Sequence, residues 1–298
     1  MMRLSFIALA LLAGITLGAQ EKADSLAFAN AGWIVTDLGN GAEARTASIQ
    51  MFSSTQSISI ISYPARKFKT QLIEGEGISD EEIIIKKGHA SRSGITSDLA
   101  GAADASFAIN GSYFNMKELT PTTYTRIGKT VWGAPGGKLS ARTNGVVMMR
   151  GHNLDITTCT DPETYGHMTR GWKYALASGH VLIEDEAVVK YPDNHAPGFY
   201  DKRHPRSIIG ISKNGRGKTE KVFLVVIDGR FPGQADGATI PECAAIARFL
   251  GCDEAINLDG GGSSTLWSEK AGVLNHPYDN HVFDHKGERR VPNIIIAK

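Results

Sequence analysis

Residues 222–267 read VFLVVIDGRFPGQADGATIPECAAIARFLGCDEAINLDGGGSSTLW, and this stretch decides the fold. Val222 to Ile227 is an unbroken apolar run, the pattern of a strand buried on both faces. It ends at Asp228-Gly229-Arg230. A helix is expected from Thr239 to Leu250. Thr239 is its N-cap, Pro241 lies in the first turn, and Glu242 is the third residue of a capping box. Ile246, Phe249 and Leu250 share one face, and Gly251 stops the helix. Ala255 to Leu258 is the next short strand, delivering Asp259 and three glycines at its end, and Thr265 to Trp267 continues as a strand. Strand, helix and strand in this order predict an α+β fold: a single domain with a mixed, mostly antiparallel sheet and a few packed helices.

The flanking sequence supplies the partners such a sheet needs. Ser57 to Tyr63 (SISIISY) is a clear strand ended by Pro64, and Glu81 to Lys87 is a further candidate. Thr96 or Ser97 is expected to cap a short helix through Ala103. Phe107 to Ile109 is then a buried strand leading into Asn110-Gly111-Ser112-Tyr113-Phe114. Strand cores follow at Val146–Met149, Leu154–Thr157 and Val181–Ile183. Gly136-Gly137 reads as a turn, and Asn214-Gly215-Arg216-Gly217 as the close of a hairpin between Ser207–Ser212 and Val222–Ile227. A polar tail from Asn275 to Arg290 precedes a closing strand, Pro292 to Ala297.

The start of the chain is of another kind. Met1 to Arg3 is basic, Leu4 to Leu17 is an uncharged apolar run, and Gly18 and Ala19 are small. The run is shorter than the roughly 20 residues a spanning helix needs, so residues 1–19 are expected to be a removed secretory signal. That expectation places the protein in the periplasm or outside the cell, with no integral membrane segment left after signal removal. Residues 20–84 then form a β-rich N-terminal part of the domain. An apolar fraction of 42% and a net charge of +1 describe an ordinary globular protein, with no basic footprint for nucleic acid. Cys159, Cys243 and Cys252 do not make a disulfide framework, and the last two stand at opposite ends of one expected helix. The core must hold the fold.

Three places carry chemistry. Gly260, Gly261 and Gly262 permit positive φ and close approach to bare backbone, so they suit either an anion nest or a tight bulge between strands. Asp259 stands before them, and Ser263 and Ser264 follow with hydroxyl donors. The turn lacks the Lys-[Ser/Thr] of a phosphate-binding P-loop, and neither serine fits Gly-x-Ser-x-Gly. Arg203 and Arg206, in Arg203-His204-Pro205-Arg206-Ser207, suit bidentate contact to phosphate or carboxylate, unless the stretch is a solvated basic loop. Asp228 and Arg230, at a strand end, are either a structural ion pair or catalytic groups.

These pieces, taken in order, resemble the phosphodiester glycosidase family. The resemblance rests on Ile109 to Phe114, Arg203 to Ser207 with Ile208 to Ile211, Asp228-Gly229-Arg230, and Thr239 to Glu242. Asn257-Leu258-Asp259-Gly260-Gly261-Gly262-Ser263-Ser264-Thr265 is its most specific string, and Gly287 to Asn293 resembles the closing motif. It covers roughly residues 85–298, the expected catalytic part.

The resemblance implies an exported hydrolase that cleaves a glycosyl phosphodiester at the anomeric carbon, with N-acetylglucosamine as a candidate sugar. Such a reaction needs an anchored phosphate and stabilisation of an oxocarbenium-like sugar. Arg203, Arg206, Arg230 and the glycine nest suit the first task, and Asp259 or Asp228 the second. Asn110, Gly111, Ser263, Ser264 and Glu288 are further substrate-binding candidates, with Tyr113 as a stacking face and Trp132, Trp172 and Trp267 as possible sugar platforms. Glu242 is read as a helix cap ahead of a catalytic role. His276, Asp279, His281, Asp284 and His285 fit no strict metal spacing. The expected partner is a glycan or sugar phosphate, with no cofactor and no metal. A non-catalytic glycan- or cell-wall-binding protein and a metal-dependent phosphodiesterase are the alternatives.

Overall fold

The computed structural model describes residues 18–75, 84–86, 89–91, 93–133, 142–191 and 195–298. The apolar run 4–17 and the Gly136-Gly137 turn lie outside them. From the N-terminus come helix α1 (residues 18–29) and strands β1 (Ile34–Gly39), β2 (Ala42–Met51), β3 (Ser54–Pro64) and β4 (Thr70–Glu74). The short β5 (Ile84–Lys86) and β6 (His89–Ser91) precede helix α2 (Thr96–Ala102) and β7 (Phe107–Asn110). Next are β8 (Phe114–Asn115), β9 (Thr120–Pro121), β10 (Thr125–Ile127), β11 (Thr130–Trp132), β12 (Gly145–Arg150) and β13 (Asn153–Thr158). Helix α3 (Tyr165–Met168), β14 (Tyr174–Ser178), β15 (Val181–Glu184), β16 (Ala187–Val188) and helix α4 (Pro197–Tyr200) follow. The chain closes with β17 (Arg206–Lys213), β18 (Thr219–Ile227), α5 (Ile240–Phe249), β19 (Glu254–Asn257), β20 (Leu266–Ser268), β21 (Gly272–Val273) and β22 (Asn293–Ala297).

The largest sheet runs β1-β2-β3-β18-β17-β19-β15-β16. Two five-stranded sheets, β11-β10-β14-β12-β13 and β21-β20-β7-β22-β4, cover one face of it. The fold is α+β, and every strand pairing among the described residues is antiparallel. β18 and β19 run parallel to each other with β17 between them, so α5 crosses over one strand. The β17–β18 hairpin holds a continuous register from Arg206↔Ile227 to Ser212↔Lys221.

Alternation along the central strands builds two cores at once. On β18, Val222, Leu224 and Val226 face the two smaller sheets, while Phe223, Val225 and Ile227 face α1 and α5. Ile61 and Tyr63 of β3 join the first core, and Ile58 and Ile60 the second. Each such aliphatic side chain contributes about 1.5–3 kcal/mol by leaving water. β3 lies in the N-terminal part of the chain and pairs with β18 along Ile58–Pro64, so that part is built into the main sheet. α1 docks on the same side: Phe28 is buried, and Asp24 accepts from Phe52 N at 2.7 Å.

α5 forms for the reasons its sequence states. Thr239 Oγ1 accepts from Glu242 N, Glu242 Oε2 accepts from Thr239 N, and Gly251 follows at φ +74°. α2 departs from expectation. Its N-cap is Ile95, with no side-chain cap, and the carboxylate that satisfies its first turn comes from Glu288. A remote acid does here what an adjacent Thr or Ser does elsewhere.

Candidate active site

The Asp259–Ser264 turn hangs between two sheets. Leu258 N donates to Ser207 O at 2.8 Å on β17, and Asp259 N donates to Gly111 O at 3.3 Å, just beyond β7. The turn then tightens into a single 3-10 turn, Gly261–Ser263. Each glycine is explained by what occupies the space of its missing side chain. A Cβ on Gly260 would meet Pro205 O at 2.6 Å, and one on Gly261, at φ +65°, would meet the Arg230 guanidinium at 3.2 Å. One on Gly262 would overlap the Arg289–Asp279 ion pair. Close approach, more than anion binding, demands these three residues.

The expected donor nest is correspondingly reduced. Gly261 N is taken by Pro205 O, Gly260 N serves the Asp259 carboxylate, and Ser263 N and Ser264 N bond back to Gly260 O and Gly261 O. Backbone amides used inside the turn are not donors for a ligand.

Beside the turn opens a cleft of about 270 Å³, lined chiefly by Tyr113, Arg142, Phe199, His204, Arg206, Arg230, Asp259, Arg289 and the glycines. Asp259 is the one carboxylate among these lining residues. It is half-buried and enclosed by protein, and desolvation pushes its pKa up to about 6. The Gly260 N–H and the charges of Arg142 and Arg289 pull the other way. So does the Ser263 hydroxyl, which lies beside the carboxylate without completing a hydrogen bond of normal geometry. Desolvation wins, leaving a carboxyl that titrates near neutrality.

Four arginines reach this cleft, and they are held in two ways. Arg289 is clamped by both oxygens of Asp279. The other three lie over aromatic faces: Arg142 on Tyr113 at 5.2 Å, Arg206 on Phe199 at 5.1 Å and Arg230 on Tyr278 at 5.2 Å. An aromatic face orients a guanidinium without cancelling its charge. Arg206 is 3% exposed, and its hydrogen bonds go to the carbonyls of Ala238, Phe199 and Lys202. Arg230 adopts φ +68°, a conformation rare for a side-chain-bearing residue and often found at ligand sites. His204, whose pKa burial pushes down, completes the rim through a 3.2 Å contact from its Nε2 to Gly198 O.

Several sequence candidates lie behind the cleft wall instead of on it. Asp228 is 1% exposed, and four donors close its carboxylate: Ser57 Oγ, Asn275 Nδ2, His276 N and His276 Nδ1. It does not line the cleft, and these bonds tie β3 to the segment after β21. Asn110 is fully buried; its Nδ2 donates to Asp259 O at 2.7 Å, and its Oδ1 accepts from Ser207 Oγ and Thr265 N. It holds the turn, not a sugar hydroxyl. Gly111 packs against Asn293, whose side chain leaves no room for a Cβ. Arg203 gives its guanidinium to Glu242 and Phe52 O, so neither it nor Glu242 reaches the cleft. Glu288 caps α2, as described above. The hydroxyls of Ser263 and Ser264 are buried and unpartnered, and neither residue lines the cleft.

Tyr113 brings its ring to the cleft beneath Arg142, while its hydroxyl donates inward to Gly179 O and Leu258 O. Trp267 packs against the α2 core and Trp172 against the Tyr124 core, and none of the three expected tryptophan platforms lines the cleft. The His276–His285 residues diverge: His276 goes to Asp228, Asp279 to Arg289, Asp284 to Asn280 and His285 to Asn275 O. Among the described residues no group of three His, Cys, Asp or Glu converges as metal ligands do.

Two lining arginines escaped the sequence reading. Arg289 sits in the closing motif beside Glu288, where the acid drew attention and the base touches the cleft. Arg142 has no motif around it, and only the fold brings it to Asp259.

Comparison with known proteins bears on the fold and the family. In structure, the chain is similar to the zebrafish N-acetylglucosamine-1-phosphodiester alpha-N-acetylglucosaminidase catalytic domain, auto-inhibited by its pro-peptide. The TM-score is 0.61 at 14% identity, covering 86% of this chain and 82% of that one. A hypothetical protein from Synechocystis is similar at TM-score 0.57 and 14% identity, covering 89% of this chain and 63% of that one. At such identity these likenesses show the fold alone. No curated protein matches in sequence. A family profile described as phosphodiester glycosidase matches residues 103–298, which include the Asp259 turn, Arg206, Arg230 and Arg289. The chain belongs to the phosphodiester glycosidase family.

Proposed function

We propose that this cleft hydrolyses a glycosyl phosphodiester at the anomeric carbon, with N-acetylglucosamine 1-phosphate diesters as the first substrates to test. The observation that carries the reading is a single carboxylate, Asp259, lining the cleft among arginines whose charges aromatic faces leave uncancelled. A phosphate monoester is a weak base and departs without strong general-acid help. One carboxylate therefore suffices where ordinary glycosidases use two. Arg206 and Arg230 make the cleft attractive to the substrate's negative charge, and Asp259, ionised above about pH 6, stabilises the oxocarbenium-like sugar as nucleophile or as base for water. The C1–O bond breaks with its electron pair on the phosphate. Water oxygen joins C1, one proton stays on the new sugar hydroxyl, and the other goes to the released phosphate or solvent. The choice of N-acetylglucosamine follows the name of the zebrafish enzyme.

We also read residues 1–19 as an export signal. Protein recovered from outside the cytoplasm is expected to begin near Gln20, and an N-terminus at Met1 there overturns that reading. Among the described residues no helix is long and apolar enough to cross a membrane.

The decisive experiment uses N-acetylglucosamine 1-phosphate methyl diester in oxygen-18 water, with and without chelator. Label in the sugar hydroxyl, unaffected by chelator, is the expected result. Label in the phosphate would mean P–O cleavage, and absence of turnover would leave a glycan-binding protein.

A further inference from the structure

Resting on that reading, we infer that the preferred substrate carries a second anionic group on the aglycone, beyond the phosphodiester itself. Charge inside the cleft does not balance without it. Arg289 is neutralised by Asp279. Arg142 and Asp259 line the same cleft, one cation and one carboxylate, and their charges offset when Asp259 is ionised. Arg206 and Arg230 remain.

Among the described residues no carboxylate lies within salt-bridge distance of either. Arg206 is buried, with carbonyls and the Phe199 ring as its partners. A buried guanidinium without an anion is costly, which makes it a receptor for one. Arg230 is exposed, in a left-handed backbone conformation, and lies between Tyr278 and the bare backbone of Gly261. The chain as a whole has a net charge of only +1, so two uncompensated cations at one cleft are a local feature. A phosphodiester brings one negative charge. The second cation is matched by an aglycone bearing a phosphate or a carboxylate a few bonds from the diester.

The test compares three diesters of N-acetylglucosamine 1-phosphate: 2-hydroxyethyl, 2-carboxyethyl and 2-phosphoethyl. The expected kcat/KM for the phosphoethyl diester exceeds that of the hydroxyethyl diester at least tenfold, with the carboxyethyl diester between them. The advantage lies in KM and shrinks as salt is raised from 0.05 to 0.5 M. Arg230→Gln collapses the ratio towards one, whatever it does to absolute rates, and Arg230→Lys restores part of it. Equal kcat/KM for all three diesters, in the presence of turnover, overturns the inference and leaves the glycosidase reading standing. If none is turned over, the glycosidase reading fails, and calorimetry with ethylene bisphosphate against ethyl phosphate decides the charge question alone. A tenfold tighter bisphosphate, lost in Arg230→Gln, upholds the two-anion site, and equal affinities overturn it.

Discussion

Two regions meet at the Asp259 turn, and they use polar residues in opposite ways. The cleft wall presents Asp259, Arg142, Arg230 and Arg289, each at least partly exposed. Behind it, Asn110, Asp228, Asn275 and Asn293 are buried and spend their polar atoms on backbone and on neighbouring side chains. Asn275 shows the pattern: its Oδ1 accepts from Leu266 N while its Nδ2 donates to Asp228 and to Ser264 O. Buried networks of this kind fix one backbone path, since a group left unpaired there costs about 1–3 kcal/mol. A motif residue can thus be indispensable without touching substrate.

The sharpest way to break the comparison is to remove one carboxylate from each region. Asp259→Asn is expected to lower kcat by about 10⁴-fold while leaving the protein no less stable than the parent. Asp228→Asn should do the reverse. Its amide cannot accept from all four donors, so unfolding free energy falls by about 1–3 kcal/mol while kcat of the folded protein stays within about tenfold. Steady-state kinetics and urea unfolding on both variants check this. An Asp228→Asn protein as dead as Asp259→Asn, at full stability, would return Asp228 to the chemistry.

Within the glycine run the same contrast appears one residue apart. Gly260→Ala presses a methyl onto the carbonyl of Pro205, a backbone atom that cannot swing aside, and stability should drop by about 3 kcal/mol. Gly262→Ala meets the ends of two side chains, Arg289 and Asp279, which can give way. Its expected effect is a KM raised about tenfold with stability changed by about 1 kcal/mol or less. Equal destabilisation by both would mean that the Arg289–Asp279 clamp belongs to the rigid layer.

Asp259 also leaves a signature in pH. Its pKa is raised in the folded protein from 3.8 to about 6, so between those values the folded state binds the extra proton. Stability from this group is full below about pH 4 and is lost as pH rises through about 6. The loss is on the order of 2 kcal/mol, given the partial exposure of the group. Urea unfolding from pH 4 to 7 should show that decline in the parent and not in Asp259→Asn. Over the same range kcat/KM should rise with a midpoint near 6, since the proposed reaction uses the ionised form.

How much of this was legible in sequence follows from which physics was local. The β17–β18 hairpin, the doubly buried β18 and the capped α5 depend on neighbours in the chain, and they stand where the pattern puts them. Asp259 was legible because three glycines and two serines surround it. The side on which each remaining polar residue faces was not. Asn110 and Glu288 lie in matching motifs, yet one holds the turn from below and the other caps a helix 191 residues upstream. Arg142 became visible only through contact with Tyr113, from an unremarkable stretch of sequence. Motifs name the residues a site needs, and the pairing of sheets decides which of them meet a ligand.

The smallest effect tests the wall's outermost support. Glu242 joins three things at once: it closes the α5 capping box, fixes the Arg203 guanidinium, and through Arg203 is tied to Phe52 O at the end of β2. Its distance from the cleft makes its influence on chemistry indirect. Glu242→Gln keeps one amide oxygen for Thr239 N but loses the charge that pairs with Arg203. An isolated, partly exposed pair of this sort contributes about 1 kcal/mol. Stability should therefore fall by about that amount, with kcat unchanged and KM altered less than about threefold. If Glu242→Gln is inactive while unfolding at the parent's urea concentration, the support reading is wrong and Glu242 must reach the substrate in a form of the cleft that closes around it.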